Sequence, residues 1–278
     1  MRKEAKGPVL SFHPMIDGDY FLWDRGNWDH DLVMKLTASR AVILPQTVQR
    51  ELYSLCRFLC PMVFPNYDLR FQWQGKVGNT LLFWAYNVPH PRTQVFPRVE
   101  ALMRPHPAMN HSLPALPPFP FVLKAACGGE GKHTWLIETS NDLQQALKIL
   151  ERREWHREFG FVIQEFLPDL ERDLRVVVIG DLVLSYWRKS ANFLHNIAQG
   201  GEIDKYSAPD LQARGRQAVV ELCARTGINL AGFDLVFLPG SPEPLFLEIN
   251  YTFGWTGIGG AEKFNDLLKQ AVDRWLMQ

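Results

Sequence analysis

Leu235-Val236-Phe237-Leu238, a Pro/Gly loop from Pro239 to Pro244, and Leu245-Phe246-Leu247-Glu248-Ile249-Asn250 read together as a β-hairpin with Asp234 at its mouth. Residues two apart on a strand share a face, so Glu248 and Asn250 point the same way. With the turn centred between Ser241 and Pro242, position 234 falls opposite 248 to 250, and three oxygen-bearing side chains meet on one face. Two carboxylates and an amide oxygen on an otherwise apolar hairpin suit a hard cation such as Mg²⁺, with substrate phosphates completing its shell. Taken alone, such residues near a strand end are more often solvated rim residues or turn formers than ligands, so their meaning depends on what lies upstream.

The chain has 278 residues, 46% hydrophobic and 22% charged, the composition of an ordinary globular protein able to bury a sizeable core. Basic and acidic residues number 30 each, so bulk electrostatics gives no case for nucleic acid or an anionic membrane. Residues 1–6 are polar and charged, and no signal-peptide core or long apolar span follows, which points to the cytoplasm. Cys56, Cys60, Cys127 and Cys223 lack paired metal-site spacing and read as reduced core residues.

Three stretches of different character follow one another. Residues 9–66 read as strand, polar loop, strand (41–44), helix (47–59) and a short apolar run (62–64), a small α/β unit. A helix over 76–86 ends before Asn87-Val88-Pro89, and the seven prolines between Phe96 and Pro120 predict an extended segment. Strands at 121–125 and 134–138 flank a glycine turn, followed by a helix over 142–153 capped by Ser140 or Asn141. The last third reads as a strand at 161–164, a hairpin over 174–187 turning at Gly180-Asp181, a helix over 210–226, the opening hairpin and a closing helix over 261–275. Without a regular βαβ rhythm, antiparallel sheets packed on helices are expected rather than one doubly wound sheet.

Two further signals accompany the hairpin. In Phe121-Val122-Leu123-Lys124-Ala125-Ala126-Cys127-Gly128-Gly129-Glu130-Gly131, a lysine at a strand end precedes glycines at 128, 129 and 131. Such a loop lets backbone amides approach phosphate oxygens while the lysine adds charge, although a plain glycine hairpin has the same composition. In Val162-Ile163-Gln164-Glu165-Phe166-Leu167-Pro168, a strand edge leaving an apolar pocket can offer backbone groups to an adenine ring, and Arg172-Asp173-Leu174-Arg175 enters the next strand.

In this order the pieces closely resemble the ATP-grasp superfamily, in its branch of RimK-type ligases and glutathione synthetase, over roughly residue 75 to the C-terminus. The landmarks are Gly75-Lys76, Ala85-Tyr86-Asn87-Val88-Pro89-His90-Pro91-Arg92-Thr93, Lys124 with its glycine loop, Gln164-Glu165-Phe166-Leu167 and Arg172-Asp173-Leu174-Arg175. They continue with Arg188, the run 193–201 containing Asn196 and Gly200-Gly201, Gly232-Phe233-Asp234 and Leu247-Glu248-Ile249-Asn250.

The resemblance implies an α+β, ATP-grasp fold. Two α+β subdomains would sandwich ATP, spanning 76–166 and 167–278, after a short α/β N-terminal region over 1–75. It implies that Lys76 and Lys124 contact ATP phosphates and that the loop with Gly128, Gly129 and Gly131 closes over them. Gln164, Glu165, Phe166 and Leu167 would form the adenine hinge, with Asp173 near the ribose. Arg188 and Asn196 would face the transferring phosphoryl group, and Asp234, Glu248 and Asn250 would hold Mg²⁺, with Mn²⁺ as a substitute. The implied activity is a ligase that activates a carboxylate as an acyl phosphate and joins it to an amine of a small molecule or peptide, releasing ADP and phosphate. An ATP-binding regulatory protein without ligase activity, a carboxylate–thiol ligase and a small-molecule kinase are the alternatives. Gly75 replaces a frequent Asp, Gln199 a frequent basic residue, and the N-terminal region is short, so neither substrate identity nor a homo-oligomeric state carries over.

Overall fold

The computed structural model describes residues 7–23, 27–103, 115–128, 133–168, 170–189 and 202–278. The chain opens with β1 (Val9–Ser11), β2 (Tyr20–Phe21), α1 (His30–Ala38), β3 (Ala41–Ile43), α2 (Arg50–Leu59), β4 (Met62–Phe64), α3 (Asp68–Gln72) and α4 (Gly75–Ala85). Its strands form a parallel sheet in the order β2-β1-β3-β4. Every residue of β1 and β3 is buried, which explains why both read as short unbroken apolar runs. The expected polar loop before residue 41 instead contains α1. Asp29 caps it by accepting from Leu32 N at 3.0 Å, while Leu32 and Leu36 bury one face. The expected helix at 47 begins only at Arg50.

β5 (Thr93–Phe96), α5 (Val99–Met103), β6 (Phe121–Ala125), β7 (Thr134–Ile137), α6 (Ser140–Trp155) and β8 (Phe161–Glu165) form the second unit. Its antiparallel sheet runs β5-β8-β6-β7 over a core of Phe96, Phe121, Leu123, Ile137, Leu150 and Phe161. The cap of α6 is Thr139 rather than Ser140 or Asn141, and it exchanges hydrogen bonds with Asp142 in a capping box. The proline-rich stretch is not wholly extended, because α5 lies inside it; residues 104–114 fall outside the described residues.

β9 (Arg172–Ile179), β10 (Leu182–Lys189), β11 (Glu202–Asp204), α7 (Pro209–Thr226), β12 (Leu230–Phe237), β13 (Pro244–Asn250) and α8 (Gly260–Leu276) complete the fold. The third sheet, β11-β10-β9-β12-β13, is antiparallel throughout. It shares one continuous core with the N-terminal sheet, through residues such as Phe64, Tyr67, Phe83, Leu174, Phe233 and Phe246. The amide of Phe246 donates to Pro89 O at 2.8 Å, fastening the connection after α4 to β13. Cys56 and Cys60 are buried and Cys223 half-buried, but Cys127 is exposed, not a core residue. Among the described residues no helix is long and apolar enough to cross a membrane.

Candidate functional site

The hairpin β12–β13 pairs Asp234 with Glu248 and Gly232 with Asn250, with a register shift after Asp234. The mirror relation expected from the sequence therefore holds, and all three side chains stand at one end of the third sheet. On the neighbouring strands Arg188 pairs with Asp173 and Arg175 with Asp234, so charged side chains of four strands share one face.

These charges interlock. Arg188 donates from Nε and Nη2 to Asp173 Oδ1 and Oδ2, both at 2.6 Å, and from Nη2 to Asp234 Oδ1 at 2.9 Å. Arg175 donates from Nε to Asp234 Oδ1 and from Nη2 to Asp234 Oδ2 at 3.1 Å. Asn250 Nδ2 completes the set by donating to Asp234 Oδ2 at 2.9 Å. Four donors thus use the roughly four lone-pair positions of the Asp234 carboxylate. Burial alone would raise the Asp234 pKa, but Arg175 and Arg188 outweigh it and hold the group below the usual carboxylate range. Gly232 makes room for this network, since a Cβ there would stand 2.9 Å from Arg175 Nη1.

A second set of groups meets the first across the cleft. Lys76, in the first turn of α4, donates to Gly128 O at 3.0 Å and reaches Glu248 Oε1 at 3.5 Å. Lys124, on β6, donates to Gln164 Oε1 at 2.7 Å, and Gln164 Nε2 donates to Thr93 Oγ1 at 3.0 Å. Burial pushes the Lys124 ammonium down to about 8; Glu248 and Asp234 oppose the shift and Lys76 adds to it. Asn79 Nδ2 donates to Ile249 O at 3.3 Å, tying α4 to β13. Gly75 has φ +64°, and a Cβ there would stand 2.1 Å from Ala126 O. The positive φ and this close backbone crossing account for a glycine at position 75.

The structure thus brings together Lys76, Lys124, Asp234, Glu248 and Asn250, with Arg188 and Asp173 behind them. Asp173 has both oxygens engaged by Arg188, so any ribose contact would be shared with that guanidinium. At the expected hinge, the Glu165 amide already donates to Arg92 O at 2.9 Å and its carboxylate accepts from Arg92 N at 2.7 Å. Of the backbone donors expected to serve adenine, that amide is therefore taken. Phe166 and Leu167 follow β8 half-buried. Gln164 works through its side chain as a support for Lys124. Gly129, Gly131 and Asn196 lie outside the described residues, and Gly128 is represented by its carbonyl on Lys76. The sequence alone assigns no role to Arg175 or Asn79. Position 175 shares its strand face with 173, and this period of two was the available signal.

Glu248 keeps acceptor capacity beyond its contact with Lys76, and the Asn250 amide directs Nδ2 at Asp234, which leaves Oδ1 without a partner among the described residues. These hard oxygens fit a cation such as Mg²⁺, whereas Asp234 would have to exchange one of its present donors to take part. Among the described residues no three His, Cys, Asp or Glu side chains group so as to hold a metal ion by themselves.

Two lobes meeting over lysines on one side and carboxylates on the other define an ATP-grasp fold. The chain belongs to the RimK-like ATP-grasp family, whose domain model matches residues 92–272. Among solved structures, a RimK-domain ATP-grasp protein from Sphaerobacter thermophilus DSM 20745 aligns over 95% of this chain and 98% of its own, with 16% identity and a TM-score of 0.59. D-cycloserine synthetase aligns over 91% and 88%, with 16% identity and a TM-score of 0.60. The D-alanine–D-alanine ligase of Bacillus anthracis in complex with ATP aligns over 91% and 85%, with 15% identity and a TM-score of 0.58. At these identities the likeness is one of fold.

Proposed function

We propose that the protein is an ATP-dependent ligase that activates a carboxylate as an acyl phosphate and joins it to an amine. The observation that supports this most is the convergence of Lys76, Lys124, Asp234 and Glu248, from α4, β6, β12 and β13, on one seam between two sheets. Lys76 and Lys124 would neutralise the ATP phosphates, and the backbone after Glu165 would receive the adenine. Arg188, fixed by Asp173 and Asp234, would meet the charge on the transferring phosphoryl group. Glu248 and Asn250, joined by Asp234 on rearrangement, would hold Mg²⁺, which would supply charge neutralisation at the phosphates.

The γ-phosphoryl passes from ADP oxygen to a carboxylate oxygen of the acid substrate. The amine then attacks the acyl carbon, the C–N bond forms, phosphate leaves with the C–O electron pair, and the amine loses a proton. Positioning and charge neutralisation carry such a reaction, consistent with a site without a nucleophilic Ser or Cys among its assembled residues. The test is phosphate release from ATP and Mg²⁺ with pooled amino acids and peptides. ADP and phosphate formed only when the pool is present support the ligase, and nucleotide binding without any turnover would favour the regulatory alternative.

A further inference from the structure

Behind the third sheet, on the face turned away from the cleft, lies an open pocket of about 630 Å³. Strand register separates the two. Arg188 pairs with Asp173 and Trp187 with Leu174, so the ion pair of the cleft wall and the Trp187 ring project to opposite faces of the sheet. α7 packs on the Trp187 face: its Gly215 abuts the Leu174 side chain, and Trp187 Nε1 donates to Ser207 O at 2.7 Å just before the helix. Leu170, Leu211 and Phe237 give the pocket apolar walls, and Arg172 supplies its cation. The half-buried Arg172 guanidinium lies 4.0 Å from the centroid of the Trp187 ring, and among the described residues it has neither an ion pair nor a side-chain hydrogen bond. Stacking engages the face of a guanidinium and leaves its in-plane N–H fork free, the geometry that matches a carboxylate. Lys189, opposite Arg172 on β10, already faces Asp204 at 4.0 Å. α7 opens beside the pocket with Leu211 in its first turn and no side chain capping it, so the positive end of an 18-residue helix adds to the attraction for an anion. Glu171 also lines the pocket and Asp210 shares that first turn; both are exposed, and both weigh against a dianion such as phosphate. A concave site of this size with apolar walls and one convergent charge suits a small molecule.

We propose that this pocket binds a small apolar molecule bearing a single carboxylate, with Arg172 as the partner of the carboxylate and Leu170, Leu211 and Phe237 around the apolar body. The site is separate from the nucleotide cleft and does not depend on the ligase reading.

The test is calorimetric titration of the full chain with hydrocinnamate, its neutral amide hydrocinnamamide and inorganic phosphate, repeated in the presence of the non-hydrolysable analogue AMPPNP and Mg²⁺. Hydrocinnamate should bind about 10- to 100-fold more tightly than the amide, the range expected of a charge-assisted hydrogen-bonded pair, and more tightly than phosphate. That preference should vanish in Arg172→Gln and return in part in Arg172→Lys. Leu211→Trp, which fills the pocket from α7, should abolish binding of both aromatic probes. The thermal midpoint checks that each variant folds, and Arg172→Gln, which breaks no ion pair among the described residues, should stay close to the wild type. No binding of hydrocinnamate, equal binding of acid and amide, a preference that survives Arg172→Gln, phosphate bound as tightly as the acid, or displacement of hydrocinnamate by AMPPNP would overturn the pocket. Failure of the wild type to bind AMPPNP would instead break the ligase reading, and the titrations without nucleotide would still decide this one.

Discussion

On the cleft wall built by β9, β10, β12 and β13, Asp173 and Asp234 are matched against Arg175 and Arg188, and nearly every charged atom there has a partner in the free protein. On the opposite wall Lys76 and Lys124 donate to neutral oxygens, and among the described residues their one ion pair is the 3.5 Å contact of Lys76 with Glu248. The first wall is organised by its own ion pairs, so it holds Arg188 in place at no cost when a ligand arrives. The second has fewer charge partners in the free protein, and under the proposed function its lysines would gain theirs from the phosphates of ATP.

The comparison breaks first at Asp234. Asp234→Asn removes the charge that compensates Arg175 and Arg188, and we expect about 3–5 kcal/mol of lost stability by denaturant titration. A variant as stable as the wild type would mean that the network is not structural. Glu248→Gln should separate the walls differently. Its one ion pair is long and partly exposed, so stability should hold, while turnover should fall about 100- to 1000-fold with nucleotide binding largely kept. Undiminished Mg²⁺-dependent ATP consumption would remove Glu248 from the site.

Gly75→Ala tests how the lysine wall is mounted. A positive φ and the close Ala126 carbonyl predict a loss of about 1–3 kcal/mol, visible in the thermal midpoint, with weaker nucleotide binding as α4 shifts Lys76. An unchanged midpoint would show that the crossing can relax.

The smallest effect is one of pH. Burial holds Lys124 at about 8, so its charge is lost as pH rises through that value rather than near 10.5, and nucleotide affinity should decline between pH 7 and 9. Between the folded and unfolded values the unfolded chain carries the proton that the native lysine lacks, so this group's contribution to stability rises with pH across that window. Lys124→Arg should abolish the affinity step if Lys124 causes it, and persistence of the step would assign it elsewhere.

The parts of this design that were legible in sequence are those set by local periodicity. Asp234 opposite Glu248 followed from counting residues about a turn, and β6 and the turn at Gly180-Asp181 followed from apolar runs bounded by glycine. What escaped depended on contacts distant in the chain. Nothing local distinguishes Gln164 as a prop for Lys124 from a hinge residue, because the contact spans two strands 40 positions apart. The Asp234 carboxylate looked like a free metal ligand until the strand pairing brought Arg175 and Arg188 against it. α1 was hidden by a polar stretch with only Leu32 and Leu36 as its apolar stripe, and its helix is fixed by packing more than by propensity.

Hydroxylamine trapping tests the central claim most directly. Incubated with ATP, Mg²⁺, a pool of carboxylic acids and hydroxylamine, the protein should release ADP and form one hydroxamate, identifiable by mass spectrometry, whose acid is the natural substrate or its analogue. Production of AMP and pyrophosphate, or of ADP with a stable phosphorylated alcohol, would contradict an acyl phosphate formed between the two walls.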